Sequence, residues 1–322
     1  MEITKDISEL PNSDGIVIHS SFLWFERLQA GKSMFFAKLE ERAALEQVPI
    51  FLVDAENTTS QRLRDLDHVH LYLRYRNPYI NKGFHIATGY IRGFWYCDPK
   101  GVNWNSSIVN MEFDPKEIEF DAARRTYYGI RGFVLPRNTS RHSQPIVKGD
   151  PLPPAAATIY LQDLENKKYS PHFLRSEEMI KTAAECIDGR VYVKFHPLQT
   201  MKVREYITEL CAEYKSVEIV DRSIHELNEI SDLIITQNSA AAFEALFHKK
   251  PIITCGKSDF HHASIVARTI SELERGIGTA ARRLVDFQYA KYFHWFLAEQ
   301  LLEVEKPEFA DRLWARIMTR NP

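Results

Sequence analysis

Three short segments carry side chains suited to chemistry. In Val191-Tyr192-Val193-Lys194-Phe195-His196-Pro197, an apolar run ends in a histidine locked in front of a proline. Proline biases His196 toward extended backbone and stops the strand. An imidazole there can donate to a phosphate oxygen or protonate a leaving group near neutral pH. In the second segment, Ile234-Ile235-Thr236 runs into Gln237-Asn238-Ser239 and opens an alanine-rich helix from Ala240. Ser239 or Asn238 suits an N-cap, and a helix start offers amide N–H groups and partial positive charge to a phosphate. Glu244, one turn on, is placed to reach the hydroxyls of a ribose. In the third segment, Tyr160-Leu161-Gln162-Asp163-Leu164-Glu165, a carboxylate follows another apolar run. Asp163 could attack an anomeric carbon or stabilise an oxocarbenium ion. Taken singly, each is more often structural: a strand-end histidine, a capped helix, a turn aspartate. Together, at strand ends in one half of the chain, they form a candidate site.

Other clusters offer less. Gly256 and Lys257 of Cys255-Gly256-Lys257-Ser258 are expected to form a turn near a nucleotide. Asp259, His261 and His262 follow, but adjacent residues rarely point at one ion, so no metal is expected. Ala30-Gly31-Lys32-Ser33 imitates the end of a phosphate-binding loop without the glycine six positions before Lys32, so NTP hydrolysis is not expected. The four cysteines, at 97, 186, 211 and 255, have no metal-site spacing and read as buried small apolar groups.

These segments need a frame. Short apolar runs alternate with amphipathic stretches, the pattern of parallel sheets covered by helices. In the first half, Gly15–His19 and Pro49–Asp54 read as strands, with helices over 33–46 and 59–67. Residues 136–156 hold five prolines among Ser, Thr, Gly and Asn and read as an interdomain linker. Beyond it, strands are expected at 158–162, 191–195, 217–220, 233–236 and 251–254, with helices at 176–186, 202–214 and 240–247. In a doubly wound sheet, ligands sit at the carboxyl ends of the strands. The tail from 265 to 320 reads as almost wholly helical. Its aromatic cluster, Tyr289, Tyr292, Phe293, Trp295 and Phe296, reads as a core stripe.

The chain has 322 residues, 44% hydrophobic and 26% charged, with a net charge of −2. That length suits two domains. The charge lacks the basic excess of a nucleic-acid binder, so no nucleic-acid partner is expected. The start is acidic and polar, unlike a secretory signal, and no window reaches the roughly 18 apolar residues of a spanning helix. A cytoplasmic protein is expected, with docking at the inner membrane face still open.

The motifs in order resemble the bacterial Kdo transferases of capsule and lipopolysaccharide synthesis. Gly89-Tyr90-Ile91-Arg92 and Gly101-Val102-Asn103-Trp104-Asn105-Ser106 are similar to the "GYIR … GVN-x-NS" region of the capsule enzymes. Lys194-Phe195-His196-Pro197 matches "K-x-HP". Asn238-Ser239, Phe243-Glu244-Ala245-Leu246, Lys250-Pro251 and Gly256 match "NS … FEAL … KP … G". Thr88 stands where those enzymes usually carry glutamate, and 161–165 departs from their "GQV-x-x-D". A nearer likeness is to the retaining β-Kdo transferase module of O-antigen chain-terminating enzymes, where an aspartate lies 33 residues before the HP histidine, as Asp163 does here.

The resemblance implies the α/β GT-B fold: two Rossmann-like domains facing across a cleft, at 1–150 and 151–290, with C-terminal helices 291–322 returning to the first. It implies CMP-Kdo as donor, a glycan or glycolipid acceptor, and no metal or other cofactor. Asp163 and His196 would be catalytic. Lys194, Pro197, Gln237, Asn238, Ser239, Glu244, Gly256 and Lys257 would hold the donor, and Arg92, Asn103, Asn105 and Ser106 would line the acceptor side. Peripheral membrane association and further glycosyltransferase modules fit the same resemblance. A teichoic-acid-type polyol-phosphate transferase and an inactive glycan-binding scaffold are the competing readings.

Overall fold

A computed structural model describes residues 1–3, 15–64, 66–73, 83–145, 150–166 and 169–319. In chain order the strands are β1 (Glu2–Ile3), β2 (Ile16–Ser20), β3 (Ile50–Asp54), β4 (Val69–Leu73), β5 (Phe84–Thr88), β6 (Phe94–Asp98), β7 (Ala157–Tyr160), β8 (Val191–Lys194), β9 (Val217–Ile219), β10 (Ile234–Thr236), β11 (Ile252–Thr254), β12 (Ile265–Val266) and β13 (Leu302–Glu303). They form two sheets, one in each of two compact units. The first unit comprises Met1–Met111 with Phe296–Pro322, and the second Glu112–Trp295. The division falls at 111 and 295, rather than at the expected 150 and 290.

In the first unit the strand order is β1-β3-β2-β4-β5-β6-β13. The strands from β1 to β5 pair in parallel, β6 runs antiparallel to β5, and β13 antiparallel to β6. Period two sends Ile16, Ile18, Leu52, Leu71 and Ile86 to one face. There they meet Phe35, Phe36, Leu39 and Ala43 of the helix Met34–Leu45, spaced to share one side. The closing helix Phe309–Met318 adds Phe309, Leu313 and Ile317, four residues apart, to the same core. The tail therefore returns to the first unit. Gly31, in the segment that imitates a phosphate loop, takes φ +62° between helices Phe22–Gln29 and Met34–Leu45. A glycine fits this left-handed position in a helix-to-helix turn.

The second unit is a fully parallel sheet of order β12-β11-β10-β7-β8-β9. Counted from β7, this is the order 6-5-4-1-2-3 of the Rossmann fold, and its switch point lies between β7 and β10. Ile159, Val193, Ile235 and Ile253 face helices Ser176–Cys186, Met201–Ala212 and Ile270–Arg283 through Met179, Ile180, Ile207, Leu210 and Leu273. The opposite face includes Thr158, Tyr160 and Thr236, all buried. Tyr160 Oη donates to Asn228 Oδ1 at 2.8 Å.

The tail is less helical than its composition suggests. It contains β12, the helices Ile270–Arg283 and Tyr289–Phe293, a π-helical stretch His294–Gln300, β13 and the last helix. The aromatic cluster is buried at all five positions, as expected. Cys97, Cys211 and Cys255 are buried, but Cys186 is exposed. Among the described residues, no helix is long and apolar enough to cross a membrane.

Candidate functional site

Register brings the three segments together. Tyr160 at the end of β7 pairs with Lys194 of β8 on one side and with Thr236 of β10 on the other. Thr236 in turn pairs with Thr254 of β11. Adjacent strands lie about 4.8 Å apart. The turns beginning at Leu161, Phe195, Gln237 and Cys255 therefore leave the sheet side by side, at its carboxyl edge and around the switch point. Asp163, His196, the Gln237-Asn238-Ser239 segment and the Gly256-Lys257 turn occupy this edge.

The turns are stitched to one another. Glu165 Oε1 accepts from Ser176 N (2.6 Å), Ser176 Oγ (2.5 Å) and Gln237 Nε2 (2.9 Å). Gln237 Nε2 also donates to Leu174 O at 3.0 Å. Both neighbours are acceptors, so the amide orientation is unambiguous. Gln237 Oε1 is then left buried without a hydrogen bond. Phe173 and Leu174 donate their amides to Cys255 O, and Lys257 donates its own to Pro171 O at 2.8 Å. A Cβ at Gly256 would stand 3.1 Å from Gln237 O and 3.2 Å from Pro171 O, so glycine permits this crossing. Lys257 itself is exposed. Glu165 is thus committed to structure, and Asp163 lies half-buried in the same turn.

His196 is held by its backbone. Its amide donates to Gln199 Oε1 at 2.7 Å, and its carbonyl accepts from Gln199 N (3.0 Å) and Arg204 Nη2 (3.2 Å). Nδ1 accepts from Leu198 N at 3.2 Å. In the neutral ring the proton then sits on Nε2, the tautomer that can donate to a phosphate. Gln199 and Arg204 carried no signal in the sequence. Lys194 pairs with the exposed Asp221 at 2.9 Å, and Pro197 is exposed in the turn.

The Ser239 start is a short one. The helix runs Ala240–Ala245 and tightens into a 3-10 turn, Leu246–His248. Ser239 Oγ accepts from Ala241 N at 3.2 Å, and Ser239 N donates to Thr236 Oγ1 at 3.3 Å. Asn238 Nδ2 donates to Lys257 O at 2.9 Å. The Ala240 amide has no acceptor among the described residues. With only six α-helical residues the dipole is small, so this amide and the cap matter more than the helix field.

Glu244 is enclosed. It is 1% exposed, and Oε1 accepts from Ser140 Oγ at 2.6 Å. Burial pushes its carboxyl up to about 8, opposed by the Ser140 bond and by the charge of Arg141. His225 Nε2 lies 3.6 Å from Oε2, which is ion-pair range. Burial, however, lowers the His225 pKa, and Nε2 donates to Thr139 O at 2.8 Å. Burial shifts both groups toward their neutral forms, and His225 Nε2 is spent on Thr139 O rather than on Glu244. A ribose would reach Glu244 only if Ser140 moved.

The covering residues belong to the segment read as a linker. Residues 138–144 lie within the second unit and bridge its strand-end turns, which a proline count does not reveal.

The four residues expected on the acceptor side separate. Arg92 is exposed in the turn joining β5 to β6, where Gly89 N donates to Phe94 O at 2.7 Å. Asn103, Asn105 and Ser106 follow the far end of β6, about 13 Å away at strand rise. That loop is built around Asp98. Its carboxylate accepts from Lys100 N (2.8 Å), Gly101 N (3.0 Å), Ser107 N (2.9 Å) and Ser107 Oγ (2.5 Å). Asn103 and Ser106 are buried and Asn105 is exposed. Arg92 and the Asn103–Ser106 loop therefore lie at opposite ends of β6.

The His261 and His262 rings are tilted by 34° with centroids 3.9 Å apart, and His261 Nδ1 bonds Ser258 O at 3.0 Å. No group of three or more metal-ligating side chains occurs among the described residues.

Residues 169–272 match the model of a family described as capsule polysaccharide biosynthesis protein. This span includes His196, Gln237–Ser239 and Gly256 but stops short of Asp163. No curated protein sequence matches the chain. Among solved structures, the beta Kdo 2,7 transferase of Thermosulfurimonas dismutans KpsC is 14% identical. The likeness covers 83% of this chain and 89% of that one, with a TM-score of 0.51. The beta Kdo 2,4 transferase of the same KpsC is 16% identical over 81% and 88%, with a TM-score of 0.50. The chain shares their fold, two Rossmann-like α/β units of the GT-B type.

Proposed function

We propose that the chain is a retaining glycosyltransferase that moves Kdo from CMP-Kdo to a surface-glycan or glycolipid acceptor. The observation that carries this reading is the register at the switch point. The turn bearing Asp163 leaves the sheet between the turn bearing His196 and the segment that opens the Ser239 helix, which supports the reading. The family match over 169–272 and the shared fold support the same reading.

Asp163 attacks the anomeric carbon of Kdo from the face opposite the phosphate, forming a carboxyl ester as the bond to CMP breaks. The leaving phosphate is met by His196 Nε2–H and the Ala240 amide, so the developing charge is held without rearrangement. The acceptor hydroxyl then attacks the same carbon, its proton passes to water, and Asp163 leaves as the carboxylate. Two inversions give retention. Gln237, locked by Glu165 and Leu174, fixes the wall beside the nucleophile.

Intact-mass analysis of the protein after incubation with CMP-Kdo tests the reading. A mass increase of one Kdo residue, mapped to Asp163, is expected. Transfer activity with unmodified protein at every time point would sink the double displacement. Absence of transfer from CMP-Kdo to any glycan acceptor would sink the activity itself.

A further inference from the structure

We propose that Arg141 and His142, presented by residues 138–144, extend the phosphate site beside His196, where they bind the phosphate of a nucleoside monophosphate. The inference rests on the reading of His196 as a phosphate contact.

The segment is a strap with built anchors. Asn138 adopts φ +48°, and its Oδ1 accepts from Ser223 Oγ at 2.5 Å while its Nδ2 donates to Pro145 O at 3.2 Å. Thr139 O accepts from His225, and Ser140 Oγ donates to Glu244. Gln144 Oε1 accepts from Ile224 N at 3.0 Å, and its Nε2 donates to His142 O at 2.9 Å. One end is tied to the Ser223 side chain and the other to the Ile224 backbone amide, both far away in sequence. Only three residues, Arg141, His142 and Ser143, remain exposed between the anchors.

His142 faces the strand-end histidine. The His142 ring stands edge-on to the His196 ring, with centroids 5.6 Å apart and planes at 85°. Arg141 is close enough to lower the pKa of His142, second to burial, and to act on Glu244. No carboxylate among the described residues pairs with Arg141. A guanidinium next to two imidazoles in ring contact is a concentration of donors in a chain of net charge −2. An anion with several acceptor oxygens satisfies that set. Guanidinium also suits the planar, two-point recognition of phosphate.

This assigns Glu244 a positioning part. It carries Ser140 from below, and Ser140 sets the height of Arg141. The buried carboxyl is then part of the donor site without touching the donor.

Calorimetric titration tests the inference, using CMP, UMP, AMP and GMP with their parent nucleosides. The quantity read is the affinity gained from the phosphate, the ratio of monophosphate to nucleoside. In the native protein CMP is expected to bind best and well above cytidine. Arg141→Ala should cut the CMP affinity about tenfold to a hundredfold, the range for a charge-assisted contact, and leave cytidine unchanged. Arg141→Lys should recover part of the loss, and His142→Ala should cost less than Arg141→Ala. Ser140→Ala should reproduce the selective loss of CMP, through displacement of the strap. Both Arg141 and His142 are exposed, so their variants are expected to fold, and unchanged melting temperatures confirm that. If Arg141→Ala and His142→Ala keep the full phosphate increment, the inference is overturned while the transferase reading stands. If another monophosphate binds best and Arg141→Ala removes its increment, the CMP-Kdo reading falls and the inference stands. If the native protein gains nothing from any phosphate, both fall.

Discussion

Gln237 Nε2 donates to Glu165 Oε1 at 2.9 Å, which ties the turn bearing Asp163 to the segment that opens the Ser239 helix. Two carboxylates two residues apart therefore have separate duties. Glu165 holds Ser176 and Gln237, and Asp163 is proposed to do the chemistry. Glu165→Ala leaves Ser176 N and Gln237 Nε2 short of an acceptor. It should cost about 1–3 kcal/mol in urea unfolding. Asp163→Asn, which keeps the size of the side chain and a hydrogen-bonding oxygen, should leave stability within about 0.5 kcal/mol, retain CMP binding and abolish transfer. Equal destabilisation by both would show that Asp163 is structural.

The pair Asp163 and Glu165 also shows what was legible in the sequence. Thr158–Tyr160, Val191–Lys194 and Ile234–Thr236 are β-branched or aromatic runs, so their ends could be placed from composition. Parallel pairing then aligned Asp163, His196 and Ser239. The strap was not legible, because Ser140 and Glu244 lie 104 residues apart and nothing near Ser140 reports its partner. A proline-rich stretch reads as a linker whether or not it folds back. The position of the Asn103–Ser106 loop along its strand was not legible for a related reason. β6 is antiparallel to β5, which carries that loop to the end opposite Arg92, and strand direction has no local signal. The strand Leu302–Glu303 is two residues long, too short for any period to show.

His196 can be divided into its two nitrogens. In His196→Asn, the amide oxygen can replace Nδ1 as acceptor for Leu198 N, but no donor reaches the place of Nε2. The turn should persist, with melting temperature retained, while kcat for transfer falls about a hundredfold or more. In His196→Gln, the longer amide returns a donor near Nε2 and should recover part of kcat. Equal rates in the two variants would remove the leaving group as the partner of Nε2.

Gly256 sets the spacing of the wall. An added Cβ would approach Gln237 O at 3.1 Å and Pro171 O at 3.2 Å, both backbone atoms. Gly256→Ala should cost about 1–3 kcal/mol of stability, as overpacking does. It should also weaken CMP binding, because Asn238 is tied to Lys257 O in the next residue. Thermal melts with and without CMP separate the two effects. A stability loss with the CMP-induced shift intact would confine Gly256 to packing.

The last prediction concerns pH. Glu244 has a folded pKa of about 8 against 4.5 for the free side chain. The folded state therefore binds the proton more tightly than the unfolded chain. This contribution to stability is complete below about 4.5 and is lost as pH rises through about 8. His225 and His248 act in the opposite sense, since burial lowers both, and they cost stability as pH falls below 6.5. Comparison of Glu244→Gln with the native protein isolates the carboxyl. Glutamine keeps a neutral group that can accept from Ser140 Oγ through its amide oxygen. The two melting curves should lie close near pH 5, and the variant should become progressively more stable than the native protein from pH 6 to pH 9. A constant difference across that range would mean that Glu244 is ionised where it sits. The strap would then be anchored on a charge rather than on a neutral acid.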